Sequence, residues 1–239
     1  MATHPNTPSK TALPQDDEEG PRKRHKANTP DFSQADEVVT FLVGPETETQ
    51  KPKTFIVHKE IACYHSPVLN AAFKSGFIDG RTQTYKLDDV SEGAFKLLVQ
   101  WLYSQKFAIQ TSPADTRDEL AHISLDLVML WVLADKLGIP SLQNLALERI
   151  NDLSDESSTI PNDCLHYVYN NSSKDSQLRR FFTEMVGGQS EAEYFSPEEE
   201  HNIPRQMLLD LVIWSIQLRA DTVSIKVSEF FVPVEVDGR

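Results

Sequence analysis

The hydrophobic pattern of the sequence changes its period near residue 58, and this change decides which fold classes are possible. Residues 38–43 and 54–57 are rich in β-branched and aromatic residues, which predicts two strands. A short polar stretch that begins with Gly44 and Pro45 separates them, so we expect an antiparallel hairpin. Further along the chain, apolar residues recur every three or four positions, as they do on the buried side of a helix.

Residues with helix-capping chemistry mark where the helices begin and end. Ser66 followed by Pro67 predicts a helix start, because a serine side chain can accept an N-terminal N–H and proline needs no donor there. Thr116 and Glu119 have the spacing of a capping box. Gly138 is placed to end the helix that this box opens. We therefore expect one helix to start at the proline and a long helix to lie between the box and the glycine.

Strand, helix and loop patterns follow one another through the rest of the central region. Residues 82–87 alternate in polarity and predict a third strand. A helix capped by Ser91 comes next, with large apolar residues at helical spacing. The loop over residues 104–118 follows it and could include a short strand at residues 107–109. Residues 152–159 are polar and predict a linker.

The composition varies along the chain and predicts four regions. The first region is rich in Pro, Thr, Asp, Glu and Lys and lacks the large apolar residues that could offset the entropy of ordering it. The fold class we predict is α+β, a small three-stranded sheet capped by a helical cluster and followed by an α-helical extension. The regions are a disordered N-terminal tail at 1–35, a folded domain at 36–152, the helical extension at 153–220, and a tail at 221–239 that could be a strand.

The chain carries a large excess of negative charge. Its 23 basic and 36 acidic residues give a net charge of −13, which argues against broad binding to nucleic acid. Two cysteines are too few for a disulfide framework. We find neither an apolar secretory leader nor a segment apolar enough to span a bilayer. We therefore expect a soluble intracellular protein, nuclear or cytoplasmic and not secreted, with no membrane partner and no direct nucleic-acid partner.

A compact cationic cluster lies in the N-terminal region. It consists of Arg22, Lys23, Arg24 and Lys26, and an acidic stretch precedes it. One interpretation is a nuclear localisation signal, since a short exposed basic run is accessible to an import receptor. The other is a solvated charge run that balances the acidic residues. The sequence leaves both interpretations open.

Two Cys-x-His pairs are candidate metal ligands or catalytic groups. Cys63 and His65 form one pair, and Cys164 and His166 form the other. A structural zinc site needs four such ligands, but residues two apart on a helix point to different sides. A cysteine nucleophile would also need an oxyanion hole, and the sequence shows no motif for one. We therefore expect no catalysis, no metal and no cofactor, although a zinc-binding protein or an enzyme remains an alternative.

Six short motifs occur in a fixed order through the central region. They are Asp36-Glu37 before the first strand, Phe55-Ile56-Val57-His58-Lys59, His65-Ser66-Pro67-Val68-Leu69, Tyr85-Lys86-Leu87-Asp88-Asp89, Gln100-Trp101-Leu102-Tyr103 and Leu133-Ala134-Asp135-Lys136-Leu137-Gly138-Ile139-Pro140. This ordered set resembles the BTB/POZ domain family over residues 36–152, and no single motif carries the resemblance alone. The sequence and its helical C-terminal extension look most like filamentous-fungal BTB-domain proteins.

The resemblance implies a non-catalytic protein–protein interaction module. Members of the family bind a second copy of themselves or a partner protein, so the chain is expected to be a scaffold or oligomerisation protein, in a regulatory and nuclear setting. The alternative is a substrate adaptor of a cullin-3 RING ubiquitin ligase. The family's charged pocket at the interaction surface corresponds here to Asp36 or Glu37 with Lys59. Opposite charges at such a seam add specificity more than affinity.

Overall fold

The computed structural model describes residues 30, 36–109, 111–112, 115–157, 160–189 and 203–218. The described residues between Asp36 and Leu218 belong to one compact unit. The elements in chain order are β1 (Val38–Val43), β2 (Lys53–His58), α1 (Lys59–His65), α2 (Pro67–Lys74), α3 (Ile78–Thr82), β3 (Thr84–Leu87), α4 (Glu92–Ser104), α5 (Arg117–Leu137), α6 (Pro140–Ser157), a 3-10 turn (Asn162–Cys164), α7 (Leu165–Asn171), α8 (Gln177–Gln189) and α9 (Arg205–Leu218).

The sheet has the order β2-β1-β3, with β1 in the centre. β1 pairs with β2 as the predicted antiparallel hairpin, and Val38 lies opposite His58 in the register. β3 pairs with β1 in parallel, with Phe41 opposite Tyr85. A parallel partner needs a crossover connection, and α1 to α3 provide it. The structure therefore confirms the α+β class, with a small three-stranded sheet and a helical C-terminal region.

One side of the sheet packs against the helices. Val39, Phe41 and Val43 of β1 are buried while the residues between them are more exposed, which is the period-two pattern of a strand covered on one side. The Phe41 ring lies 5.0 Å from the Phe95 ring of α4 and 5.9 Å from the Phe73 ring of α2. These aromatic contacts join the sheet to the helical cluster.

The predicted capping chemistry is present. The Ser66 side chain accepts the Leu69 N–H at 3.0 Å and donates to the Leu137 carbonyl at 2.7 Å, so it begins α2 and also holds the end of α5. Thr116 and Glu119 form a reciprocal capping box at the start of α5. Gly138 ends that helix with a φ of 67°, a left-handed conformation that glycine adopts without strain.

Three local expectations are wrong. Residues 107–109 form no strand, and α3 occupies a stretch for which no helix was predicted. The linker predicted from residue 152 is also wrong up to Ser157, because α6 continues to that residue. Leu153 and Ser154 are buried in this last part of α6, and Asn151 donates to Asp155 along the helix at 3.0 Å. The predicted domain end at residue 152 thus falls inside a helix.

The C-terminal helices are joined by a polar network. Arg179 of α8 donates to the carbonyl oxygens of Tyr169 and Ser172, at 2.7 and 2.6 Å, and so caps the end of α7. The Tyr169 hydroxyl donates to Asp210 of α9 at 2.9 Å. Burial raises the pKa of Tyr169 to about 12, and its hydrogen bond to Asp210 adds to the increase. Met207, a residue of α9, is fully buried on the side of this helix that faces the protein.

Candidate interaction surface

The exposed side of the hairpin carries apolar residues at its open end. Val38 of β1 is 45% exposed and Ile56 of β2 is 66% exposed, whereas the neighbouring Val39 and Val57 are fully buried. Because side chains alternate along a strand, Ile56 and His58 lie on the same side of β2. Apolar side chains of this size are normally inside or at an interface when they cluster.

The charged residues predicted for this region meet where the hairpin joins α1. Lys59 Nζ lies 3.1 Å from Glu37 Oε2, and the backbone N–H of Lys59 donates to the Glu37 carbonyl oxygen at 3.0 Å. The Glu37 and Lys59 side chains are 44% and 25% exposed. An ion pair this accessible to water contributes only about 0–1 kcal/mol to stability. Its geometry is in place, but its role in an interaction stays a prediction.

Asp36, the other predicted acidic partner, is exposed at the residue before Glu37. Within the part of the chain that the structure describes, it forms no ion pair with Lys59. The cationic cluster of Arg22, Lys23, Arg24 and Lys26 lies outside the described residues. Its function as a nuclear localisation signal therefore stays a prediction.

Tyr103 connects the end of β2 to α4. Its hydroxyl accepts the backbone N–H of His58 at 3.0 Å and lies 2.7 Å from His58 Nδ1. The two rings meet edge to face with their centroids 5.8 Å apart. Tyr103 is still 46% exposed. We call Glu37, Val38, Ile56, Lys59 and Tyr103 the hairpin-end surface.

A second exposed apolar site lies between α2 and β3. Phe77 is 80% exposed, the largest exposure among the large apolar residues of residues 39–152 that the structure describes, and Ile78 is 65% exposed. Phe77 is the residue before α3, and its carbonyl accepts the Arg81 N–H at 3.0 Å. Sequence reasoning missed this site, because an apolar pair after a helix does not reveal whether it is buried or exposed. The sequence feature that could have indicated an exposed pair here is the preceding Ser75-Gly76, which is typical of a turn.

The structure does not bring the two Cys-x-His pairs together as ligands. Cys63 is half-buried in α1, and Cys164 is buried in the 3-10 turn with its thiol 2.9 Å from the Pro161 carbonyl oxygen. Burial raises the pKa of both thiols, so each stays protonated at neutral pH. In the described ranges no three His, Cys, Asp or Glu residues are grouped as metal ligands. Neither thiol therefore has the character of an activated nucleophile.

No helix in the described residues combines the length and the apolarity that a bilayer crossing requires.

Comparisons with known proteins identify the domain that contains most of the hairpin-end surface. The family model described as BTB/POZ domain matches residues 39–152. The match runs from the second residue of β1 into α6, so it includes the sheet, apart from Val38, and the helices packed on it. A search of the curated proteins found no match. Residues 39–152, a little under half of the chain, therefore form a BTB/POZ domain.

Proposed function

We propose that this chain is a non-catalytic scaffold that pairs with a second copy of itself through the hairpin-end surface. A BTB/POZ domain is a protein–protein interaction module. The observation that carries the proposal is an exposed apolar surface, Val38, Ile56 and Tyr103, beside the Glu37–Lys59 ion pair.

The charges of this surface suit a pairing of two identical copies. A two-fold axis brings the same patch of both chains together, so an acid and a base on one patch can each face its opposite on the other. The whole chain has a net charge of −13, which opposes self-association elsewhere. The Glu37–Lys59 pair has no net charge, so it adds no repulsion where the two copies meet.

The apolar area at the hairpin end is larger than the hairpin alone. A stable interface buries about 800 Å² on each partner. Tyr64 at the end of α1 is 44% exposed, and Val68 at the start of α2 is 37% exposed. These two residues are candidates to extend the contact from the hairpin-end surface along α1 and α2.

Light scattering combined with size exclusion tests the proposal on the full chain. We expect a dimer, and we expect Ile56→Asp to raise its dissociation constant at least about tenfold, because a buried carboxylate without a partner opposes association. Phe77→Asp is the matched control, since it places the same charge on an exposed apolar residue of the same domain and should leave the dimer intact. A wild-type chain that stays monomeric at high concentration would contradict the proposal.

A charge exchange sharpens the same test. Glu37→Lys and Lys59→Glu should each weaken the homodimer, and an equimolar mixture of the two single variants should regain much of the lost affinity as a heterodimer, because opposite charges then meet only across the seam. A mixture that associates no better than the single variants would show that these charges do not interact across an interface.

A cullin-3 ubiquitin ligase adaptor is a second candidate function. The observation that favours it is the Phe77–Ile78 pair, a separate exposed apolar site on the same domain. Exposed aromatic residues are frequent anchors of protein interfaces. A pull-down of purified cullin-3 should then succeed with wild type and with Ile56→Asp but fail with Phe77→Ala. Absence of cullin-3 binding by the wild-type chain would remove this candidate.

A further inference from the structure

α9 is apolar on two opposite sides. Its inner side packs on the body of the protein, where Met207 is fully buried and Trp214 lies against Gly187. Its outer side exposes five large apolar residues, each between 41% and 64% exposed. They recur at helical spacing and so form one continuous stripe. These residues are Leu208, Leu209, Val212, Ile213 and Ile216.

The chemistry of the stripe restricts what can cover it. Arg205 and Asp210 are the charged residues of α9, and Asp210 is engaged by Tyr169 on the inner side. The stripe therefore offers hydrophobic contact and no ion pair of its own. A helix that is apolar on every side is normally covered on every side. An apolar segment is the matching occupant, and a charged one would lose its hydration without compensation.

The sequence that follows α9 has this character. Val223, Ile225 and Val227 alternate with polar residues, so in an extended conformation their side chains lie on one side. Phe230, Phe231 and Val232 follow them. These residues lie outside the described ranges. We propose that residues 222–232 of the same chain bind the outer stripe of α9 as an extended segment, with Val223, Ile225 and Val227 toward the helix.

The distances allow this arrangement. α9 has 14 residues and is therefore about 21 Å long. The segment of 11 residues reaches about 36 Å when extended, and three residues connect it to Leu218. A connection that short can reverse the chain and lay the segment along the whole helix.

The small area of the stripe favours the chain's own segment over a second copy as its occupant. A strip about 21 Å long and about 10 Å wide projects roughly 210 Å², and even twice that area is near half of the about 800 Å² that each partner of a stable complex buries. A tethered segment avoids most of this requirement, because a short linker gives it an effective concentration in the millimolar range. The stripe is therefore large enough to bind a segment of the same chain but too small to hold a second copy of the protein in a stable complex.

A spin label provides the decisive measurement on the full chain. We place it on the polar side of the segment with Ser228→Cys, in a Cys63→Ser background that removes the half-buried native thiol. Methyl signals of Val212, Ile213 and Ile216 should lose intensity in the labelled chain. The methyl signals should keep their intensity when a spin-labelled chain without isotopes is mixed with an isotope-labelled chain that carries no spin label. Loss of intensity only in the mixture would assign the stripe to a second copy, and no loss in either sample would also overturn the proposal.

Hydrogen exchange gives an independent readout. The double variant Ile225→Ser with Val227→Ser should speed amide exchange in α9 at least about tenfold, because its outer side loses its cover. The matched control is Ser224→Ala with Ser228→Ala, which changes the polar side of the same segment and should exchange like wild type. Unchanged exchange in the apolar double variant would overturn the proposal, and unchanged thermal unfolding of the BTB/POZ domain shows that both variants are folded.

Discussion

α4 and α9 have nearly the same length but differ in how many of their residues are buried. α4 has 13 residues and buries five of them: Ala94, Phe95, Leu98, Trp101 and Leu102. α9 has 14 residues, and only Met207 is buried. One continuous core runs through both regions, but α4 is covered by that core whereas α9 leaves an apolar side for something else to cover. Stability and partner binding should therefore respond differently in the two regions.

The largest expected effect is in the domain core. Phe95 is fully buried between Phe41 and Phe55, with ring centroids 5.0 and 4.7 Å away. Phe95→Ala removes this packing and leaves a cavity, so we expect a loss of about 3–5 kcal/mol in the free energy of unfolding. Chemical denaturation measures it. A loss below about 1 kcal/mol would show that the sheet and helices do not depend on this ring.

A smaller effect is expected where α7 and α8 are joined. Arg179→Met removes the hydrogen bonds to the carbonyl oxygens of Tyr169 and Ser172, and we expect this to cost about 1.5–3 kcal/mol in total, because the site is partly buried and water can replace part of the lost donation. We expect hydrogen exchange in α7 to α9 to speed up while α4 and α5 stay protected. Arg180→Met is the matched control, since Arg180 pairs with Glu184 on the exposed side of α8. Equal loss of protection in α4 would mean that the two regions unfold together.

The smallest effect concerns the Tyr169 hydroxyl. Tyr169→Phe should cost the C-terminal helices about 1 kcal/mol at pH 8, because Asp210 loses a hydrogen-bond donor. The folded-state pKa of Tyr169 is about 12, above the ordinary value of 10. The unfolded chain therefore loses the proton first as pH rises, so this stabilisation is present below pH 10 and is lost between pH 10 and pH 12.

Hydrogen exchange followed from pH 8 upward, with rates corrected for their intrinsic pH dependence, would measure this loss. Tyr167→Phe provides the comparison, since burial also raises the pKa of Tyr167 to about 12. Tyr167 has no hydrogen bond to Asp210, so Tyr167→Phe should leave the stability at pH 8 unchanged and should only reduce the loss of stability at high pH. Identical behaviour of the two variants at pH 8 would contradict a specific role for the Tyr169–Asp210 bond.

Much of the fold was predictable because its signals are local. The hairpin follows from two β-branched runs, and the ends of α2 and α5 follow from Ser66, Thr116 and Gly138, whose side chains or backbone conformations act within a few residues. The resemblance to the BTB/POZ family implied that Asp36 or Glu37 lies near Lys59, and Glu37 is the one that does.

The remaining features depend on tertiary contacts that a local pattern does not contain. The end of α6 looked polar, but burial of Leu153 and Ser154 keeps it helical, and the bond from Arg149 to Glu156 at 2.9 Å supports it. The sequence also does not show which of the apolar residues are exposed. Phe77 and Phe73 look alike in sequence, yet the first is 80% exposed and the second 2%.

The close approach of Gly187 and Trp214 makes one atom decisive for the C-terminal helices. A Cβ atom on residue 187 would lie 2.5 Å from the indole ring, which is closer than two carbon atoms can be without displacement. Alanine at this position would therefore displace the Trp214 ring and disturb the packing of α9 on α8. We expect such a variant to loosen the last helix more than the BTB/POZ domain, so it can report which binding partners require that helix in place.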